Sequence, residues 1–252
     1  MPEADLVAER LHGFHPVREA LRARRRRCHR FLLREGTRHP EAAALEALAA
    51  EAGVPCQRLA RPAFDALAGT EARAQGFLLE ADPLPLAPLE TFCRPREGPR
   101  WLVALDQVQD PQNVGAIARV AEAAGALGLV LPRHRTAPPT PAVSKASAGA
   151  LEVLEVARVT NLARALETLQ AAGYWTLAAD PEAPDELFAL PDRVLRGDLV
   201  LVLGGEGRGL RPGLGPRLDH RARIPMRGRV ASLNVATAAA VFLFELVRRA
   251  PR

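Results

Sequence analysis

The chain has 252 residues, 48% of them hydrophobic and 25% charged, which excludes a disordered polymer and suffices for two modest cores. A net charge of +5 favours an anionic partner but does not choose between nucleic acid and a membrane surface. No apolar run approaches the ~20 residues of a membrane span, and the first residues, MPEADLVAERLHGFHPVREAL, carry acidic groups and no apolar signal core. Cys28, Cys56 and Cys93 lie far apart without nearby histidines, so neither a metal site nor a disulfide framework is expected. The expectation is a cytoplasmic protein with no metal.

In chain order, HPVREALRARRR reads as a helix, CHRFLLR as a strand, HPEAAALEALAAEAG as a second helix and VPCQRLA as another strand. RPAFDALAG and AQGFLLEA add a further helix and strand. This predicts a small α/β domain over residues 1–82. The proline-rich stretch that follows disfavours continuous helix or central strand and is expected to be a linker over 83–98. A second domain is expected over 99–252.

Within the first domain, RARRRRCHR is the densest basic run of the chain, and Arg24, Arg25, Arg26 and Arg27 are its candidate RNA contacts. A solvated basic face is the competing reading. Aromatic residues are scarce there, which favours phosphate or shape recognition of folded RNA over stacking on single strands.

Beyond the linker the pattern alternates again. WLVALD, LGLVLP, YWTLAAD, DLVLVLGG and ARIPM read as buried strands, and VGAIARVAEAAGA, NLARALETLQAAG and LNVATAAAVFLFELVRR as helices. Such alternation predicts a mostly parallel sheet covered on both faces.

Three segments of this second domain carry the chemistry. In DPQNVGAIARVAEAAG, Asp110 and Pro111 form a turn and Asn113 is placed to cap the helix, whose buried stripe is Val114, Ile117, Ala118, Ala121 and Ala124. Arg119 is off that stripe. Helical side chains lean toward the N-terminus, so its guanidinium points back toward the C-terminal edge of the sheet, where open α/β folds bind ligands. A solvated surface arginine is the alternative.

In DLVLVLGGEGRGLRP a buried strand runs into glycines around Glu206, with a spacing that departs from the dinucleotide fingerprint and so speaks against a nucleotide-dependent oxidoreductase. In ARIPMRGRVASLNVATAAAVFLFEL, Ser232 and Asn234 stand at the start of a helix apolar on most sides, which implies burial beyond one face and hence a subunit interface.

Taken together, DPQNVGAIARVAEAAG, LVLGGEGRGL and IPMRGRVASLNVATAAAVFLFE resemble the three ordered motifs of the SPOUT superfamily, in its SpoU or TrmH branch of RNA ribose 2′-O-methyltransferases, over about residues 99 to 249. The preceding domain, from LHGFHPVREAL, resembles the substrate-binding domain of the subgroup that methylates a guanosine ribose in large-subunit ribosomal RNA. The resemblance implies an α/β fold in which the C-terminal parallel-sheet domain holds a deep trefoil knot. It further implies S-adenosylmethionine as cofactor, ribosomal RNA as partner, and a homodimer through the C-terminal domain. Asn113, Arg119, Glu206, Ser232 and Asn234 match the family's polar catalytic positions, and Gly204, Ile224 and Leu233 its cofactor positions. A transfer RNA methyltransferase and a catalytically inactive ribosome-assembly factor are the alternatives that the same resemblance leaves.

Overall fold

The structure, a computed structural model, describes residues 8–68, 75–205, 209–229 and 232–250. They divide into two compact units, residues 1–85 with 139–153, and residues 86–138 with 154–252.

The first unit opens with β1 (Glu9–His12), α1 (Phe14–Ala23), β2 (Cys28–Arg34), α2 (Ala42–Glu51), β3 (Cys56–Leu59), α3 (Arg61–Ala68) and β4 (Phe77–Ala81). The sheet order is β1-β4-β2-β3, with β4 antiparallel to both neighbours and β2 parallel to β3. Strand alternation divides the apolar residues between two faces. Phe31, Leu33, Phe77 and Leu79 pack with Phe14, Val17 and Leu45 on the α1 and α2 side, while Leu32 and Leu78 pack with Phe64 of α3 on the other. Strand β1 was not expected from the sequence. Its four residues contribute one fully buried side chain, Leu11, too little for an alternating signature.

The second unit contains β5 (Trp101–Asp106), α4 (Pro111–Ala123) and β6 (Gly128–Pro132). After the chain returns to the first unit through α5 (Pro141–Ala146), it continues as β7 (Glu155–Val159), α6 (Leu162–Ala171), β8 (Trp175–Ala179), β9 (Asp185–Glu186), α7 (Asp192–Leu195), β10 (Leu199–Gly204), β11 (His220–Arg223) and α8 (Val235–Arg249). Every strand pairing in this sheet is parallel, in the order β7-β6-β5-β10-β8-β11-β9. Leu102, Ala104, Val200 and Val202 pack with Leu162, Leu166 and Leu169 of α6 on one face. The alternate residues Val103, Leu105, Leu201 and Leu203 are equally buried, and α8 covers β10 and β8 while packing against α4. Burial on both faces is why these strands read as continuous apolar runs.

From residue 86 onward the proline-rich stretch belongs to the second unit. Phe92 is buried in its core, and its carbonyl accepts a 2.8 Å hydrogen bond from the Tyr174 hydroxyl. Burial pushes the Tyr174 phenol up to about 12, so it stays a donor at any ordinary pH.

The start of α4 corrects one expectation. Asp110, not Asn113, is the N-cap: its carboxylate accepts from the Gln112 backbone N–H at 2.9 Å, with Pro111 at the first helical position. Asn113 therefore sits inside the first turn, its side chain released from capping. The rest of the helix is as expected, with Val114, Ile117, Ala118, Ala121 and Ala124 buried.

Candidate active site

Parallel strands present their C-terminal ends along one edge of a sheet, and β5 and β10 are its central pair, in register from Leu199 opposite Trp101 to Gly204 opposite Asp106. The end of β5 is a carboxylate in an otherwise apolar strand. Asp106 is completely buried, and it accepts hydrogen bonds from the Arg211 backbone N–H at 2.8 Å and from Arg211 Nε at 2.7 Å. A buried charge is tolerated only when paired and hydrogen-bonded, and here the pairing ties the chain beyond β10 to the end of β5. Asp106 and Arg211 were not singled out in the sequence. The signal was available, since a carboxylate closing an apolar strand demands a partner.

Gly204 and Gly205 are required by the chain's own close approach as much as by any ligand. A Cβ on Gly204 would lie 2.7 Å from the Leu210 backbone nitrogen, and one on Gly205 2.8 Å from the Gln107 carbonyl carbon. The loop after β10 thus folds back against the strand end and against the β5–α4 connection. Glu206 lies outside the described residues.

At the start of α8, Asn234 is the N-cap, its Oδ1 accepting from the Ala236 and Thr237 backbone N–H groups at 2.9 and 3.4 Å. Its Nδ2 donates to Oδ1 of Asn113 at 2.9 Å. One side chain therefore caps α8 and joins it to α4 across 121 residues of sequence. This is possible because Asp110 has taken over the capping of α4.

The loops beyond β8, β10 and β11 enclose a cleft of about 850 Å³. Gly204, Ile224, Ser232, Leu233 and Asn234 all line it, with Met226 and Phe242 adding apolar wall, so five of the expected site residues converge on one cavity. Ligand cavities commonly measure roughly 300 to 1,000 Å³ and combine apolar lining with a few placed polar groups. Here the ion pair between Arg221 and Asp180 supplies part of the polar rim. Leu233 and Met226 are 38% and 39% exposed, apolar surface open to an occupant.

Arg119 does not line the cleft. It is exposed on α4, where it has no ion pair or hydrogen bond among the described residues. Its guanidinium offers its donors to an anion.

The arginine run of the first unit is less uniform than it reads. Arg26 is withdrawn from solvent, its side chain 1% exposed. Its Nη1 donates to Glu9 Oε2 at 2.8 Å and its Nη2 to Glu152 Oε1 at 3.1 Å, while Nε faces Glu152 Oε2 at 2.9 Å as an ion pair without an aligned hydrogen bond. The expectation that Arg26 contacts RNA is therefore corrected: a guanidinium enclosed by two carboxylates holds the unit together. Ser144 donates to the same Glu152 at 2.7 Å; burial pushes that carboxyl up, against the pull of Arg26. Arg24 pairs with Glu51 at 3.2 Å in the open, Arg25 is half-buried, and Arg27 is exposed.

The sequence pattern of the SpoU rRNA Methylase family matches residues 100–244, and that of the RNA 2′-O ribose methyltransferase substrate-binding domain matches residues 10–87. The chain belongs to the SpoU rRNA methylase family. A 23S rRNA (guanosine-2′-O-)-methyltransferase RlmB from Pseudomonas syringae pv. tomato is 39% identical over 244 residues, 96% of each chain, and its counterpart from Pseudomonas putida is 38% identical over the same span. Among solved structures, the SpoU methyltransferase AviRb from Streptomyces viridochromogenes in complex with AdoMet is 26% identical with a TM-score of 0.78, over 96% of this chain and 90% of that one. A solved structure concerned with the 2-OH methylation of C/U34 on tRNA is 32% identical, but it matches only 60% of this chain and 97% of that one, with a TM-score of 0.53. Among the described residues, no cluster of His, Cys, Asp or Glu is placed to hold a metal, and no helix is long and apolar enough to cross a membrane.

Proposed function

We propose that this chain is an S-adenosylmethionine-dependent methyltransferase that modifies a ribose 2′-hydroxyl, that of a guanosine in 23S ribosomal RNA. The observation that carries the reading is the convergence of Gly204, Ile224, Leu233 and Asn234 on one cleft, with Asn234 joined to Asn113 on the helix that bears Arg119. Full-length similarity to enzymes named for 23S rRNA guanosine methylation favours this substrate over transfer RNA.

The cleft fits the cofactor's chemistry: Ile224, Leu233 and Met226 offer an apolar slot for an adenine ring, and the chain around Gly204 offers backbone groups for its edge. When bound, S-adenosylmethionine supplies an electrophilic methyl group. Arg119 orients the phosphate beside the acceptor ribose and stabilises negative charge as it develops on the 2′-oxygen; a guanidinium is a set of donors with no acceptor atom, which suits it to this role and not to that of a base. Asn113 and Asn234 hold α4 and α8 in fixed relation, which keeps Arg119 and the cleft in register. Ser232 adds a hydroxyl at the cleft wall. Glu206 belongs to the same reading through its place in the motif.

In this reading the second unit contains a trefoil knot and pairs as a homodimer in the cytoplasm. Phe244 and Val247 support the dimer, since they are apolar and leave 49% and 40% of their surface exposed on a helix whose other face, with Ala239, Phe242, Leu243 and Leu246, is buried. Arg24, Arg25 and Arg27 act as the first unit's RNA contacts.

Incubation of the chain with isotopically methyl-labelled cofactor and protein-free 23S rRNA, followed by nucleoside mass spectrometry, is expected to yield labelled 2′-O-methylguanosine. Label recovered on a base, or only in transfer RNA, overturns the assignment.

A further inference from the structure

The C-terminal ends of β6 and β7 lie beside the β5–α4 connection, and they are crowded with cations. Arg133, His134 and Arg135 follow β6 directly and are all exposed. Arg158 stands on β7 opposite Leu131, and exposed Arg164 lies in the first turn of α6 just beyond it. Paired strands lie about 4.8 Å apart, so the residues that follow β6 and β7 are neighbours. The segments that form this edge, LPRHRTAP over 131–138 and RVTNLARA over 158–165, contain no aspartate or glutamate.

Several features show that the crowding is held in place. Arg158 Nη2 donates to the carbonyls of Pro132 and Arg133 at 3.3 and 2.6 Å, which clamps the loop, while its Nε is buried without a hydrogen-bond partner among the described residues. Burial pulls the Arg158 guanidinium below its ordinary value, and the like charge of neighbouring Arg133 adds to that pull. Arg135 adopts φ 59°, in the left-handed region that residues other than glycine visit uncommonly. Arg164 occupies a helix N-terminus, where the dipole repels positive charge. The Ala137 backbone N–H donates to the Val108 carbonyl at 3.0 Å, so the loop is tied to the connection from which α4, with Asn113 and Arg119, departs.

We propose that this edge, formed by Arg133, Arg135, Arg158 and Arg164, binds successive phosphates of the RNA strand that carries the acceptor ribose. The assignment of RNA rests on the methyltransferase reading above. The charge crowding that is unfavourable in the free protein becomes favourable against a phosphodiester: like charges are neutralised, the α6 N-terminus receives an anion, and planar guanidinium groups match phosphate oxygens. Arg119 then continues the same track at the point of chemistry.

The test uses the full chain with Arg133, Arg135 and Arg164 replaced together, once by alanine and once by glutamine; Arg158 is kept because it clamps the loop. Binding to protein-free 23S rRNA is measured across a salt series. Each phosphate that no longer meets a guanidinium flattens the slope of log affinity against log salt by ~0.7 to 0.9, so both triple variants should lose ~2.1 to 2.7 from the slope, with unchanged S-adenosylmethionine affinity by calorimetry. A parental slope in either folded variant overturns the proposal. So does loss of binding to phosphatidylglycerol vesicles with the RNA slope intact. Methyl transfer by the parent is scored separately. A parent that binds RNA through this edge but transfers no methyl sinks the enzymatic reading and leaves the edge standing, whereas an active parent whose triple variants keep its slope sinks the edge alone.

Discussion

Two regions of this protein use the same residue in opposite ways: the sheet and arginine run of the first unit, and the C-terminal edge of the second unit's sheet. In the first, arginines are taken up by carboxylates: Arg26 by Glu9 and Glu152, Arg30 by Glu80, Arg58 by Glu46. In the second, the arginines at the C-terminal edge near α4 face no carboxylate among the described residues, and Arg119, Arg133, Arg135 and Arg164 are all exposed. The densest cluster in the sequence is thus partly neutralised, while the scattered residues form the uncommitted surface. A count of charges does not locate an anion site; what each charge already touches does.

Arg26→Ala should break this contrast most severely, because it strands Glu152 as a buried carboxylate. Removing one partner of a buried pair typically costs ~3 to 5 kcal/mol, to be read as a shift of the urea midpoint at constant m-value. A midpoint equal to that of the parent would return Arg26 to the solvated run. Arg119→Ala should do the reverse, leaving stability and cofactor affinity intact while single-turnover methyl transfer falls by ~10² to 10³, the usual loss for a stabiliser of developing charge. Arg119→Lys should recover only part of that rate, since lysine lacks the planar set of donors. Near-parental turnover in Arg119→Ala would make it an ordinary surface residue.

The smallest effect sharpens the comparison, because Arg211 is a committed arginine within the second unit. Asp106→Asn turns one acceptor into a donor facing Arg211 and loosens the loop that walls the cleft. A hydrogen bond to a charged group is worth ~1.5 to 3 kcal/mol, so S-adenosylmethionine affinity should fall at least about 10-fold by calorimetry. The turnover of a saturated variant should change less. Equal losses in both would show that the pair acts on the chemistry and not on the loop.

Much of the architecture was legible because each apolar run has its own period and its own glycine or proline stop. CHRFLLR and WLVALD coincide with β2 and β5 residue for residue. What escaped was short or distant. Strand β7, VARV after a glutamate, has too little alternation to be read, and the sequence assigns the cap of α4 to Asn113 where Pro111, at the first helical position, puts it at Asp110. Arg26 is indistinguishable from its neighbours in the sequence, since its partner lies 126 residues away. The link between Asn113 and Asn234 spans 121 residues and that between Asp106 and Arg211 spans 105, so both were beyond any local pattern. The motif residues themselves were legible; the bonds that set their relative positions were not.

The return of residues 139–153 to the first unit has a consequence for how the protein can be made. A ribosome synthesising the chain releases α1 to β4 long before it reaches Ser144 and Glu152, so Arg26 must wait for its second carboxylate through the whole of β5, α4 and β6. The first unit can therefore complete itself only after part of the second has been made, and a fragment cut at the proline-rich stretch would carry Arg26 with Glu9 as one carboxylate in place of two. The two units are separate in their cores but interleaved in their order of birth.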